Sequence, residues 1–308
     1  MSTILITGGT GLIGTAITKA LAARGYDIIV LSRNPEQQNT TFKNVRHAKW
    51  DIANQVLDHT SIASARYIIH LAGANIAGKR WTGRRKNEIV ESRVKGSELL
   101  VKSLKEMGNN VQAVISASAI GWYGPDNSSR TTAFSEHDAH NEDFLGQTCK
   151  KWEESIWPVT ELNKRLVIMR TGIVLSDEGG ALSEFKKPLK FGLATILGDG
   201  RQVISWIHID DLVRLYIAAI ENENLKGVYN AVASEPVTNK ELILTLAKQQ
   251  RGRFFIPVYV PSFFLKWVLG EMSIEVLKSA TVSNEKIHAT GFRFLYPTIQ
   301  AAIGALKK

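Results

Sequence analysis

Residues 4–14 read ILITGGTGLIG, an apolar run that enters a glycine-rich turn and leaves it as a helix. Gly9, Gly11 and Gly14 satisfy G-x-G-x-x-G, and Gly8, Gly11 and Gly14 satisfy G-x-x-G-x-x-G. The apolar pairs that follow, Leu12-Ile13, Ala16-Ile17 and Ala20-Leu21, repeat at helical spacing until Gly25 ends the pattern. The strand–turn–helix setting gives the motif its weight. Glycine permits the tight turn and lets main-chain N–H groups approach a diphosphate, which then rests on the positive end of the helix. Gly8, Thr10, Gly11, Leu12, Ile13 and Gly14 are therefore expected to hold the diphosphate of a dinucleotide.

Further apolar strands are expected at 28–32 (IIVLS), 67–72 (YIIHLA), 111–116 (VQAVIS) and 166–170 (LVIMR), with helical patterns between them at 86–104 and 144–156. This alternation predicts an α/β fold, a doubly wound parallel sheet of Rossmann type with helices on both faces. Ligands of such sheets collect beyond the carboxyl ends of the strands. After Thr171 the pattern changes. Glycines at 179, 180, 192, 198 and 200 surround a short helix at 181–189, 213–220 reads as a packed helix, and 227–233 reads as a core strand. Helices at 240–249, 263–269 and 285–290 and a strand at 254–258 follow. The expected division is a nucleotide-binding domain of residues 1–170 plus 203–233, and a smaller discontinuous C-terminal substrate lobe of 171–202 plus 234–308.

The 308 residues are 44% hydrophobic and 22% charged, the balance of a soluble globular protein. The longest apolar stretch, 258–270, is broken by Pro261 and Lys266 and falls short of a membrane span. A strand that begins at residue 3 or 4 leaves no space for a secretory leader, and the single cysteine, Cys149, excludes an intrachain disulfide. A cytoplasmic protein is expected, with no membrane partner. The net charge of +9 is densest at Lys79-Arg80-Trp81 and Arg84-Arg85-Lys86. No nucleic-acid-binding signature accompanies it, so a solvated helix face or attraction for a phosphorylated ligand is the preferred reading.

About 20 residues beyond the last glycine of such a motif, an acidic side chain ordinarily binds the ribose 2′-hydroxyl. Here that place reads Leu31-Ser32-Arg33-Asn34-Pro35. Arg33 suits a 2′-phosphate through a charge-assisted contact, and Ser32 adds a hydroxyl, which selects NADP over NAD. Asp51, in a loop expected before the third strand, is a candidate for the adenine amino group. Leu71, Ala72 and Gly73 close that strand with residues that let backbone approach the cofactor.

These segments resemble the extended short-chain dehydrogenase/reductase superfamily, relatives of nucleotide-sugar epimerases, through TGGTGLIG at 7–14, HLAGA at 70–74, SASAIGWYG at 116–124 and WIHIDD at 206–211. HLAGANI at 70–76, Arg80-Trp81, Ser92-Arg93, Phe144-Leu145 through Glu153, and MRTGIVLS at 169–176 are similar to an atypical epimerase-like family within it. GFRF-x-YPT at 291–298 resembles that family's C-terminal module. The resemblance covers nearly the whole chain.

It also exposes a departure. Ordinary members carry a Tyr-x-x-x-Lys pair, the tyrosine moving a proton and the lysine lowering its pKa and holding the nicotinamide ribose. None of the seven tyrosines here has a lysine four residues on, and by the resemblance the pair falls on Leu145 and Cys149. Ser118 matches the family's strand-end serine, and Tyr123 follows on the same loop; these two are the candidate acid–base residues. Cys149 is a nucleophile only if a nearby cation lowers its pKa, and otherwise core filler. Arg93 stands where ordinary members have an asparagine facing the cofactor, where a cation suits a phosphate or a substrate carboxylate; Glu88 lies five residues earlier to pair with it, and both are counted among the cofactor-binding candidates. Val174 is expected against the nicotinamide. His208 with Asp210 and Asp211 reads as a structural junction, and His137 and His140 as a polar loop; no metal site is expected.

Two functions follow. One is an NADP(H)-dependent oxidoreductase or epimerase acting on a small substrate of phosphorylated or sugar-like kind. The other is a non-catalytic NADP(H)-binding sensor or regulator, similar to relatives linked to division of cells or plastids. A homodimer is left open.

Overall fold

The computed structural model describes residues 2–37, 42–127 and 131–306. Along the chain run β1 (Thr3–Thr7), α1 (Leu12–Ala23), β2 (Asp27–Ser32), β3 (Val45–Asp51), β4 (Val56–Leu57), α2 (His59–Ser64), β5 (Tyr67–His70), α3 (Gly83–Glu106), β6 (Ala113–Ala119), α4 (Phe144–Ile156) and β7 (Arg165–Thr171). They are followed by β8 (Ile173–Leu175), α5 (Ala181–Leu189), β9 (Leu193–Leu197), β10 (Val203–Ile204), β11 (Trp206–His208), α6 (Ile209–Glu221) and β12 (Gly227–Ala231). The C-terminal part holds β13 (Val237–Thr238), α7 (Asn239–Arg251), β14 (Ile256–Val260), α8 (Ser262–Leu269), α9 (Ser273–Leu277), α10 (Glu285–Ala289) and α11 (Ile299–Ala305).

One eight-stranded sheet carries the order β12-β7-β6-β5-β1-β2-β3-β4, parallel except for the β3–β4 hairpin edge. The chain moves outward from β1 through β2 to β3, then returns to lay β5 on the other side of β1. The strand order therefore reverses between β1 and β5, the point at which a doubly wound sheet opens a crevice. Strands β1, β5 and β6 are apolar on both faces because both are covered. On one face Ile4, Ile6, Ile28, Val30 and Ile115 pack with Ile17 and Leu21 of α1 and with Leu212 to Ile220 of α6. On the other, Leu5, Ile29, Ile68 and Val114 pack with Ile62 of α2, Leu99 to Leu104 of α3 and Ile156 of α4. A third core joins Leu182 and Leu189 of α5, Ile196 of β9, Leu242 to Ala247 of α7 and Ile299 to Ile303 of α11.

The expectations differ from this architecture in three places. Residues 45–51 form a strand, β3, so the chain reaches Tyr67 on its fifth strand rather than its third. Asp51 is the last residue of β3 and not part of a loop preceding a strand. Strand β6 runs on to Ala119, which places Ser118 inside the ladder opposite Arg170. No described helix is long and apolar enough to cross a membrane.

Candidate cofactor site

The turn after β1 is built by contact. Gly8 has φ +70°, and a Cβ there would lie 2.9 Å from the Leu71 carbonyl carbon. A Cβ on Gly14 would fall 2.3 Å from the Gly8 oxygen and 2.6 Å from the Gly9 Cα, so only glycine lets the helix start directly beneath the turn. Gly11 caps α1 without any side chain, and no acidic residue stands in the first turn. The N–H groups of Leu12, Ile13 and Gly14 lack intrahelical acceptors by geometry, and with the helix dipole behind them they form an anion cradle. Thr10 and Gly11 are exposed at its lip, and Leu12 meets the Gly179-Gly180 loop that follows β8.

Beside the cradle the ends of β1 and β5 are tied together. Thr7 Oγ1 accepts from the Leu71 and Ala72 N–H groups at 3.1 and 3.2 Å, so its own proton goes to His70 Nδ1 at 2.8 Å. His70 Nε2–H then donates to Ser97 Oγ at 3.1 Å, and Ser97 donates to the Arg93 carbonyl at 3.1 Å. Every donor in this chain has one acceptor, which fixes His70 as the neutral Nε2–H tautomer. Complete burial pushes its pKa down to about 4, consistent with that state.

At the end of β2, Arg33 is exposed, and its guanidinium has no acceptor among the described residues. Ser32 Oγ accepts from the Asn34 N–H at 3.3 Å, which leaves its proton free for a ligand. Lys49, level with Ser32 on β3, donates to the Arg33 carbonyl at 2.9 Å and adds a second cation that the sequence reading did not include. Asp51 turns back on its own loop: Asn54 donates to it from backbone and side chain at 3.1 and 3.0 Å, and those bonds hold its pKa below the usual carboxylate range. Val174 is half-buried on β8, paired with Ile207 of β11 and packed against the core under α1 and α6.

Glu88 does not pair with Arg93. It binds Arg85 at 2.6 Å across one helical turn. Five residues correspond to about 140° around a helix, so Glu88 points away from Arg93. Arg93 itself is buried, donates from Nη1 to the carbonyls of Ala74 and Ile89, and lies 4.9 Å from the Trp152 ring.

Ser118 and Tyr123 enter one buried network without touching. Ser118 donates to Glu153 at 2.6 Å, and Arg170 grips Glu153 with two bonds of 2.9 Å. Tyr123 donates to Asn230 at 2.7 Å and accepts from Arg170 at 3.0 Å. Both are 3% exposed, and burial pushes the Tyr123 phenol up to about 12. Each hydroxyl donates to a protein acceptor in this network, so the pair ties β6, β7, α4 and β12 together. Leu145 packs on Gly121, and the Cys149 thiol lies 3.6 Å from the Ala119 carbonyl. Burial raises the thiol to about 12, which removes it as a nucleophile near neutral pH. His208 caps α6 through the Asp210 N–H, and the described residues contain no cluster of three or more metal-ligating groups.

A glycine-built anion cradle at the reversal point of a mostly parallel sheet defines a dinucleotide-binding protein of the Rossmann class. Residues 4–150 match the NAD dependent epimerase/dehydratase family, and residues 260–306 match a domain of unknown function, DUF1731. The chain is 33% identical to the epimerase family protein YfhF of Bacillus subtilis, over 98% of this chain and 97% of that one. A crystal structure of the human epimerase family protein SDR39U1 with NADPH superposes with a TM-score of 0.85 at 30% identity, covering 99% of this chain and 98% of the other. A nucleoside-diphosphate sugar epimerase from Corynebacterium glutamicum gives 0.76 at 30% identity, over 98% of this chain and 57% of that longer one. The chain belongs to the NAD dependent epimerase/dehydratase family, as an atypical extended short-chain dehydrogenase/reductase with a DUF1731 module at its C-terminus.

Proposed function

We propose that the chain binds NADP(H) in the cytoplasm and carries out hydride transfer on a small substrate, as an oxidoreductase or a nucleotide-sugar-type epimerase. One observation carries the cofactor choice: Arg33, flanked by Ser32 and Lys49 and with no guanidinium acceptor among the described residues, stands where an NAD-binding sheet carries a carboxylate. The NADPH bound to the similar human protein supports the same reading. Gly8, Thr10, Gly11, Leu12, Ile13 and Gly14 would hold the diphosphate, Ser32 and Arg33 the 2′-phosphate, Leu71, Ala72 and Gly73 the middle of the molecule, and Val174 the nicotinamide. The nicotinamide supplies or accepts the hydride when bound. The protein's part is to orient it and to exclude water; with Ser118 and Tyr123 occupied elsewhere, the proton passes to or from ordered water or the substrate itself.

The regulator reading rests on a specific observation as well, since the positions of Leu145 and Cys149 on α4 hold no group that moves a proton near neutral pH. Absorbance of bound NADPH against a panel of carbonyl compounds and nucleotide sugars separates the two. Substrate-dependent loss of the reduced band supports turnover, and full occupancy without oxidation across the panel supports the regulator. For the cofactor, Arg33→Ala is expected to weaken NADP(H) about tenfold or more, the worth of one charged hydrogen bond, and to leave NAD(H) nearly unchanged. Equal loss of both nucleotides refutes the assignment of the 2′-phosphate to Arg33.

A further inference from the structure

A buried cation ordinarily comes with an anion, because the cost of removing it from water is otherwise not recovered. Arg93 breaks that rule. Its guanidinium lies against Gly73, where a Cβ would sit 3.0 Å from Cζ, directly under the exposed loop that leaves β5. Its protein acceptors are two carbonyls, both taken by Nη1; no carboxylate faces it, and Nε and Nη2 have no acceptor among the described residues. Burial together with the neighbouring Arg85 charge depresses its pKa to about 10. It stays charged at neutral pH.

The surroundings repeat the pattern. Arg85, two turns earlier on α3, spends Nη1 on the exposed Glu88 and Nη2 on the Asn75 carbonyl, while its buried Nε has no partner. Trp152, whose ring Arg93 covers, has a buried indole N–H without a partner. Three side chains around one loop thus hold donors that no described residue accepts. The loop is tethered by Arg93 and Arg85 through the Ala74 and Asn75 carbonyls, by Ser92 through the Ala74 N–H and by Trp81 through the Ile76 carbonyl, and the remaining donors are not used for that. Buried donors are satisfied as a rule, and the Arg85 Nε and Trp152 indole N–H are buried with no acceptor among the described residues; the chemistry that fits them together with the Arg93 guanidinium is an oxyanion.

We propose that Arg93, with Arg85 and Trp152, forms the receptor for an anionic group of the substrate, so that the substrate is a carbonyl or alcohol compound bearing a carboxylate or a phosphate. The proposal rests on the reading that NADP(H) lies along the carboxyl ends of the strands. β5 is separated from β2, where Arg33 binds, by β1. The receptor therefore sits on the side of the crevice opposite the 2′-phosphate, where the reacting half of the cofactor and the substrate meet.

Titration calorimetry of inorganic phosphate and of malonate into NADPH-loaded protein, at constant ionic strength, tests it. The loaded wild type is expected to bind at least one of the two. Arg93→Met should weaken that binding about tenfold or more while NADPH affinity moves less than about threefold, the difference expected for loss of a charged hydrogen bond to the anion alone. Arg93→Lys, which keeps the charge and guards against a misfolded Met variant, should fall between the two. Whether phosphate or malonate binds more tightly distinguishes a tetrahedral from a planar anion. Absence of binding to the loaded wild type overturns the proposal, as does a parallel loss of NADPH and probe in Arg93→Met, which would give the cation to the cofactor. A wild type that takes up neither nicotinamide nucleotide refutes the cofactor reading instead, and the same titrations into unloaded protein then decide the receptor by the same tenfold criterion.

Discussion

His70 offers a test of the framework that holds the cradle together. The imidazole is completely buried, accepts from Thr7 at Nδ1 and donates to Ser97 at Nε2. A second proton at Nδ1 would face the Thr7 hydroxyl, whose oxygen already accepts two backbone N–H groups. The folded pKa is depressed from 6.5 to about 4, so between those values the unfolded chain binds the proton and the folded one does not. Stability from this group is therefore fully present above about pH 6.5 and is lost as pH falls through 4. At about 1.4 kcal/mol per pKa unit, the loss is roughly 3 kcal/mol. His70→Asn keeps an acceptor toward Thr7 but cannot be protonated. Urea unfolding followed by tryptophan fluorescence from pH 8 to 4 should show the wild-type advantage shrinking by that amount toward pH 4. Parallel stability curves for the two proteins would refute the neutral, fully engaged imidazole.

Two further outcomes follow from the packing. Gly14→Ala sets its Cβ against the Gly8 carbonyl and the Gly9 Cα, backbone atoms that cannot rotate aside; nucleotide affinity by calorimetry should fall more than about tenfold and stability by about 1–3 kcal/mol, and wild-type affinity in the variant would show that the turn is not the cradle. Cys149, with its thiol raised to about 12, should resist an aromatic disulfide reagent at pH 7.5 until the chain unfolds; labelling within minutes of the native protein contradicts its burial.

The part of the fold that was legible in the sequence is the part written in local pattern. The strand–turn–helix of residues 3–23, the apolar centres of β2, β5, β6 and β7, and α4 at Phe144–Ile156 all carry their own periodicity or glycine signature. Strand β3 does not. At the outer part of the sheet, Val45, Ala48 and Trp50 turn inward among the exposed Arg46 and Lys49, so no continuous apolar run marks it. Missing β3 hid Lys49, which register alone places beside Ser32, and misplaced Asp51. The Glu88–Arg93 pairing failed on helical angle, which the sequence does contain: Arg85 at three residues was the reachable partner. The roles of Ser118 and Tyr123 depended on Glu153, Arg170 and Asn230, which come from three other elements, and such long-range pairing leaves no local trace.

These relocations point the same way. By the resemblance drawn from the sequence, the tyrosine and lysine positions fall on Leu145 and Cys149 of α4, which pack against Gly121 and the Ala119 carbonyl at the end of β6. The buried charged group on α4, Glu153, is neutralised by Arg170 inside the framework. On α3, Arg93 and Arg85 crowd the β5 loop, with no counter-ion facing Arg93 among the described residues. A lysine beside a tyrosine tunes a proton; a guanidinium that stays charged far above neutral pH cannot exchange one and can only attract and orient. A site of the proposed kind would select its substrate by charge and geometry and leave proton movement to water or to the substrate. Turnover, where it occurs, should then be governed by the hydride step and by the anion held at Arg93, with no protein phenol titrating in its pH profile.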